Sequence, residues 1–427
     1  MTINRTVLTT AIACGLMTLS SASLAAGFQL AEYSATGLGR AYAGEAAMAD
    51  NAGAQWRNPA MLTYLFGTQV STGAIYVNPN VGVNGTVNFH NVVSHANASD
   101  YANDAVIPNF YLSHQMNERV FLGLALGTNY GMETDLSGFA ASHFGDEAMI
   151  KTMEANLNLG YQLTETISIG GGVRYVMGEG HFGARVPEKN FIGPGVSLPQ
   201  GSTLKYMEGD DTSWGWQVGT TWQINPQHRV ALSYKSEVVM DFEGHAEGIT
   251  YGNYKPGQLS ITLPATAELA SFHQLSEQWA IHSSINWTDW SSFDQLVANF
   301  HDGTPNDLIK LENWKDNYRF ALGTSYIWDQ DLTLRAGIAY DLSAVSTKYR
   351  TATIPETSRT WLSVGAGYQA TKQLTLDAGF TYIFAKKASL DEPREVSDET
   401  AASIAGTYSG KVSGNVWLLG VQASYRF

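Results

Sequence analysis

Apolar and polar residues alternate at every second position, in segment after segment, and this most constrains what the chain can fold into. Trp417, Leu419, Val421, Ala423, Tyr425 and Phe427 fall on one side of a strand, with Gly420, Gln422, Ser424 and Arg426 on the other. Leu374, Leu376, Ala378, Phe380, Tyr382 and Phe384 repeat the pattern opposite Thr375, Asp377 and Thr381. It recurs at Leu332–Tyr340, Tyr318–Trp328 and Trp214–Trp222. Successive side chains of a strand point to opposite faces, so each segment has one greasy side. A half-buried strand of a soluble protein shows the same period. Here aromatics recur near both ends of the segments, as the girdles of a lipid-facing wall require.

The connections give the strand count independently. Short turns are read at Asn117-Glu118, Thr164-Glu165, Asn225-Pro226-Gln227, Ser276-Glu277, Asp329-Gln330 and Thr371-Lys372. Long polar connections lie near 78–105, 133–151, 186–212, 244–262, 288–316, 343–358 and 387–413. Together they join fourteen strands, and the alternation of short and long matches barrels of the Gram-negative outer membrane, with turns in the periplasm and loops outside. The expected fold is an all-β, 14-stranded antiparallel transmembrane barrel with both termini periplasmic. Composition agrees: 42 glycines, 11% aromatic and only 15% charged residues. The net charge of −14 argues against nucleic acid as a partner.

The N-terminus reads differently. Met1–Ala25 has one positive charge at Arg5, an apolar run Val7–Met17 and a small-residue stretch ending at Ala25, as a secretory signal has. Cys14 lies inside it and is the only cysteine, so the mature chain has no disulfide. Beyond it no apolar run approaches the length of a transmembrane helix. Residues 26–65 hold Gly27, Gly37, Gly39, Gly44 and Gly53 among many alanines, with no alternation and no long apolar face. Such a segment cannot fold alone and needs a container. A fourteen-strand barrel is wide enough for an aqueous pore unless filled, so 26–65 is expected to plug the barrel formed by 66–427 and its seven extracellular loops.

With plug, strand count and terminal Phe427 in place, the chain resembles the FadL/TodX family of outer-membrane transporters for long-chain fatty acids and other hydrophobic compounds. The resemblance rests on Gly27-Phe28-Gln29-Leu30, Gly37-Leu38-Gly39-Arg40-Ala41-Tyr42 with Gly44-Glu45, and Arg57-Asn58-Pro59-Ala60. Asn129-Tyr130-Gly131 and Lys315-Asp316-Asn317-Tyr318-Arg319 complete it. It implies passive diffusion from an external groove through an apolar pocket to a lateral opening in the wall, controlled by the plug. It also implies that Asn58, Pro59 and Ala60 sit beside an inward kink of the third strand, with Asn58 facing Asn129, Tyr130 and Gly131. The residues agree locally, since Gly131 suits a bulge or ladder break and Pro59 removes a donor.

Ligand contacts follow the same two sources. Leu136, Phe139, Ala140, His143 and Phe144 recur at helical spacing in the loop Asp135–Ile150, a stripe that on an external loop would form a greasy landing surface. Phe191, Ile192, Val196 and Leu198 supply its other lip. The resemblance adds Phe28 at the mature start, Lys315 as the cation for a carboxylate, and Arg185 as a second one. The implied partners are a long-chain fatty acid or similar hydrophobic ligand, and outer-membrane lipid and lipopolysaccharide around a monomer. Aromatic or alkane hydrocarbons are the alternative cargo. A lipid-cleaving barrel is the rival class, but no G-x-S-x-G or H-E-x-x-H occurs. No metal, cofactor or catalytic residue is indicated, and His90 and His95 read as solvated loop residues.

Overall fold

A computed structural model describes residues 27–89, 91–187, 198–393 and 405–427. The first seven barrel strands are β1 (Thr68–Phe89), β2 (Ala105–Gln115), β3 (Val120–Gly127 and Gly131–Asp135), β4 (Glu147–Gln162), β5 (Ile167–Arg185), β6 (Thr203–Asn225) and β7 (His228–Lys235 and Val238–Gly248). There follow β8 (Gly252–Leu263 and Thr266–Gln274), β9 (Trp279–Thr288), β10 (Asn317–Ile327), β11 (Leu332–Asp341), β12 (Arg359–Gln369), β13 (Leu374–Glu392) and β14 (Thr407–Arg426). Each pairs antiparallel with the next. β14 closes on β1 from Gln69↔Arg426 to Asn88↔Thr407. Closure satisfies the backbone polar groups that a bilayer cannot.

The alternation read from sequence is the inside–outside division of the wall. Trp214, Trp216, Val218, Trp222, Leu376, Phe380, Leu419 and Val421 are exposed on the outer face, while Gln217, Thr221, Asp377 and Gln422 are buried within. All six short turns fall between paired strands. The connection near 244–262 is not the long loop expected. β7 and β8 continue through it, paired from Val238↔Leu263 to Ala246↔Lys255. Here Met240, Phe242 and Ala246 point inward and are buried. Polar Asp241 and Glu243 point outward, so apolar-in, polar-out patterning replaces the membrane pattern above the bilayer and resembles a loop. β1 likewise outruns its expected end and pairs with Val92–Ser99.

Residues 27–65 lie inside the barrel as short turns: Ala35–Leu38, Glu45–Ala47, Ala52–Trp56 and Pro59–Tyr64. Side chains supply the caps, Ser34 to Gly37 N at 3.2 Å and Asn58 to Ala60 N at 2.9 Å. The plug is tied internally by Arg40, which pairs with Glu45 and Asp50, both at 2.6 Å, and it meets the polar inner wall with charge through Arg57, paired with Glu268 at 2.9 Å.

Close approach of plug to wall is made possible by wall glycines. Gly160, Gly170 and Gly219 are register neighbours across β4, β5 and β6. A Cβ on Gly170 would lie 2.4 Å from the Pro59 carbonyl carbon, and one on Gly219 only 1.9 Å from Asn58 Oδ1. On the opposite wall, a Cβ on Gly337 would lie 2.2 Å from the carbonyl of Arg40. The plug is seated where the wall carries no side chain.

Candidate functional site

β3 is interrupted at Thr128–Tyr130. Its lower half pairs with both neighbours, as Phe121–Leu126 with Gln115–Phe110 of β2 and Val120–Gly127 with Tyr161–Glu154 of β4. The ladder of its upper half is with β4, starting at Gly131↔Lys151. Three β3 residues therefore face two of β4, and this extra residue displaces the strand, as a bulge does. Thr152 accommodates the mismatch: its amide donates to Tyr130 O at 3.1 Å and its hydroxyl accepts from Tyr130 N at 3.3 Å. On the other side β2 has no β3 partner from Ala105 to Asn109, and a bridge resumes only at Ala102↔Thr134. The wall is unladdered there.

The start of the plug occupies the released edge. Leu30 N donates to Asn129 O at 2.7 Å and Gly131 N to Phe28 O at 2.8 Å, making an antiparallel bridge between Gln29 and Tyr130. Phe28 is then caged by Trp290 at 4.7 Å between ring centroids, Phe293 at 5.3 Å, Tyr130 at 6.0 Å and Trp314 at 6.3 Å. Gly27 is required in this cage, since a Cβ there would come within 2.5 Å of Trp314.

Phe28 also lines an apolar cavity enclosing about 930 Å³ of empty space including its mouth. Its wall comes from β3 to β8, with Met132, Ile150, Phe182, Met207 and Phe242, and from the segment between β9 and β10, with Phe293, Leu296 and Lys310. Apolar side chains dominate this lining, which is the character of a site for an apolar ligand. Lys310 is the lysine at its surface. Its Nζ lies 4.2 Å from the Phe182 ring centroid and 3.2 Å from Thr353 Oγ1, placing a cation beside an aromatic face within reach of the cavity.

The residues singled out from sequence fall into four groups. Phe28, Asn129, Tyr130 and Gly131 come together at the interrupted strand. Gly131 is not among the glycines of positive φ, and the break lies in the three residues before it. Asn58 does not face that region. Its amide donates to Ala46 O at 2.7 Å and to Thr220 O and Thr221 Oγ1 of β6 at 3.3 Å, because the Asn58-Pro59-Ala60 turn is seated on Gly160, Gly170 and Gly219.

The loop after β3 is no greasy landing surface. Leu136 and Phe139 are buried, with the Phe139 ring 5.4 Å from that of Tyr408, and Phe144 packs partly buried against the same cluster. The stripe joins a core that the loops themselves make over the barrel mouth. Only Ser142–Phe144 is helical, as one 3₁₀ turn. Burial depresses His143 to about 4, against a hydrogen bond with Ala405 O at 2.9 Å. Of the other lip, Phe191, Ile192 and Val196 lie outside the described residues, and Leu198 is half-buried.

Neither expected cation lines the cavity. Lys315 is exposed at the surface, held by its backbone amide to Ala344 O at 3.0 Å, while neighbouring Trp314 turns into the Phe28 cage. Arg185 is engaged by Asp146 at 3.0 Å and Glu147 at 3.3 Å. Burial, then the Glu147 carboxylate, pushes Asp146 up to about 6 despite Arg185. Lys310, not among the residues singled out from sequence, lines the cavity instead. Its signal is a lysine inside the apolar run Leu308-Ile309-Lys310-Leu311, where a surface strand would place alternate polar residues.

A family profile described as "Outer membrane protein transport protein (OMPP1/FadL/TodX)" matches residues 16–427. The chain belongs to this family. It is 34% identical to Haemophilus influenzae "Outer membrane protein P1" over 97% of its own length and 98% of the relative's. It is also 34% identical to an Escherichia coli "Long-chain fatty acid transport protein", over 98% of each. Among solved structures, a Pseudomonas aeruginosa FadL homologue superposes with a TM-score of 0.83 at 20% identity, over 94% of this chain and 100% of that one. The Pseudomonas putida toluene transporter TodX gives 0.69 at 18%, with the same coverage. Family and barrel together place the protein in the Gram-negative outer membrane.

Proposed function

We propose that this FadL-family barrel takes up long-chain fatty acids, or hydrophobic molecules close to them, by passive diffusion. The chain would be held in the apolar cavity and released sideways through the unladdered stretch between β2 and β3. The observation that carries this reading is Phe28. One side chain lines the cavity while its own backbone is hydrogen-bonded to the broken strand, so occupancy of the cavity and closure of the wall involve the same residue.

Lys310 favours a carboxylate over a neutral hydrocarbon. A carboxylate loses hydration on entering an apolar cavity and stays ionised there only beside a cation or several donors. Lys310 offers that cation at the cavity wall, with the alkyl chain lying against Phe182, Met207 and Phe242. No energy source is involved, and aromatic or alkane cargo becomes an outcome of the test. In this reading residues 1–25 are removed as a signal, 26–65 form the plug and 66–427 the wall, which operates as a monomer among lipid and lipopolysaccharide.

The test has two parts. Lipid that co-purifies with the folded barrel is identified by mass spectrometry, and uptake of labelled oleate is measured in a host lacking its own transporter. Long-chain acids in the extract with oleate uptake above the empty host are expected. Uptake of toluene or hexadecane without oleate would transfer the assignment to hydrocarbons.

A further inference from the structure

A bulge in β13 turns two successive lysines to the outside of the wall. The register with β14 shifts between Ala385↔Gly414 and Ala388↔Val412, so Lys386 and Lys387 stand opposite the single residue Ser413. Ala385 lines an internal cavity and Ala388 packs on the core over the barrel mouth, so both face inward. In an unbroken strand, residues three apart face opposite ways. The extra residue lets both lysines between them point outward, and both are exposed. Lys411 joins them from β14, paired in register with Ser389 of β13 and Asn84 of β1, and it is exposed beside inward, buried Val412.

The rings below give the level of this cluster. Phe384 is exposed two residues before Lys386, with the Tyr382 ring 4.7 Å away, and Trp417 with Tyr76 at 5.1 Å continues the belt across β14 and β1. Aromatic girdles mark the interfaces of a membrane barrel. β13 rises from the periplasmic Thr371-Lys372 turn, so the lysines begin about 7 Å of strand beyond the outer girdle, among the head groups of the outer leaflet.

Charge sets this sector apart. Lys151, Arg185, Lys205 and Lys255 each pair with a carboxylate, whereas Lys386, Lys387 and Lys411 have no ion-pair partner among the described residues. Two acids border the patch and both are engaged: Asp391 accepts from Ser409 Oγ at 2.7 Å, and Asp104 from Asn78 Nδ2 at 2.6 Å. On β6 and β7 the same outer face carries exposed Glu208, Asp210, Asp241 and Glu243 instead. An anion in the outer leaflet is repelled there and drawn to β13 and β14.

We propose that this patch seats the phosphorylated head group of the outer-leaflet glycolipid, the lipid A end of lipopolysaccharide. Three ammonium groups meet the phosphate oxygens as point charges, and the acyl chains descend over Phe384 and Trp417. A zwitterionic phospholipid carries its own amine beside its phosphate and gains less from the lysines. The seat depends on the barrel standing in the outer membrane and is independent of which cargo crosses it.

The test uses the folded barrel purified in a non-ionic detergent. It is incubated with bisphosphorylated lipid A, with the same lipid A stripped of its phosphates, or with phosphatidylethanolamine, and retained lipid is counted by native mass spectrometry. The wild-type protein should retain phosphorylated lipid A about tenfold better than either other lipid. Lys386→Gln with Lys387→Gln, at exposed positions outside the cavity and the plug, should abolish that preference and leave heat-modifiability and oleate uptake as they were. Arg119→Gln with Lys372→Gln removes the same net charge at the periplasmic turns and should preserve it. Three results overturn the proposal. They are equal retention of phosphorylated lipid A by the wild type and the lysine variant, equal loss in both variants, and wild-type retention of dephosphorylated lipid A at the phosphorylated level, which would leave the apolar belt alone holding the lipid.

Discussion

The amide of Gly131 donates to the carbonyl of Phe28 at 2.8 Å, so the first residues of the plug complete the ladder that β2 leaves open on β3. Gln29 and Tyr130 face each other between this bond and its companion, Leu30 N to Asn129 O. In such a non-hydrogen-bonded antiparallel pair the Cα atoms lie roughly 4.5 Å apart, close enough for a disulfide. Gln29→Cys with Tyr130→Cys should oxidise readily, since Cys14 is the only native cysteine. Oleate uptake is expected to fall more than tenfold on oxidation and recover with reductant. Unaltered uptake by a fully oxidised barrel would show that the plug start is not the gate.

Lys310 and Lys315 separate by geometry what sequence could not. If Lys310 holds the head group, Lys310→Ala should weaken binding of a fatty acid by roughly 1–3 kcal/mol, the scale of a hydrogen bond to a charged group. Binding of a neutral alkane of similar length should hardly change. Lys315→Ala should leave both ligands as they were, because that side chain is exposed and does not line the cavity. Titration of purified variants with the two ligands checks this, and a loss confined to Lys315→Ala would restore the sequence-based assignment.

What was legible in the sequence was whatever the bilayer imposes. A lipid-facing wall forces apolar residues to every second position, so Trp214 to Trp222 and Trp417 to Phe427 announce their strands. The extensions of β7 and β8 above the bilayer escaped because Asp241 and Glu243 face water there while Met240 and Phe242 face inward. At the interrupted strand, motif resemblance singles out Phe28 and Asn129–Gly131, which the structure brings together. Asn58 was misplaced because its partners, Thr220 and Thr221, lie more than 160 residues away and carry no local signal. The Leu136–Phe144 stripe was correctly apolar and wrongly exposed, since no local pattern tells that other loops cover it.

Seating of the plug can be tested at Gly219. A side chain there would meet Asn58 Oδ1 at 1.9 Å, the atom that caps the turn at Ala60 N. Loss of such a cap costs about 1 kcal/mol on its own, and Gly219→Val must also displace Asn58 from β6. The barrel should still run as a heat-modifiable band. If the seated plug closes the barrel, cells carrying it should become more sensitive to a large antibiotic such as vancomycin. Asn58→Ala, which relieves the clash and loses only hydrogen bonds, should have a smaller effect. Wild-type exclusion by Gly219→Val would mean that the turn tolerates displacement and the glycine contact does not hold the plug.

The loop over the barrel mouth should respond to pH through Asp146. Its folded pKa is about 6, raised by burial and by Glu147 against the pull of Arg185, whereas an unfolded aspartate titrates near ~3.9. A group whose folded pKa is raised binds its proton more tightly in the folded loop. Its contribution is therefore complete below the unfolded value and is lost as pH rises through about 6. Two backbone bonds report on the loop, Leu136 N to Asp146 O at 2.6 Å and Asp146 N to Gly183 O at 3.0 Å. After correction for intrinsic exchange, protection of these two amides should be higher at pH 5 than at pH 7.5, with the change centred near 6. Asp146→Asn, permanently neutral, should hold the protected level across that range. His143 does not account for the transition, since its depression to about 4 leaves it neutral throughout. Protection that rises with pH in the wild-type chain would mean that the Arg185 ion pair outweighs the burial of the carboxylate.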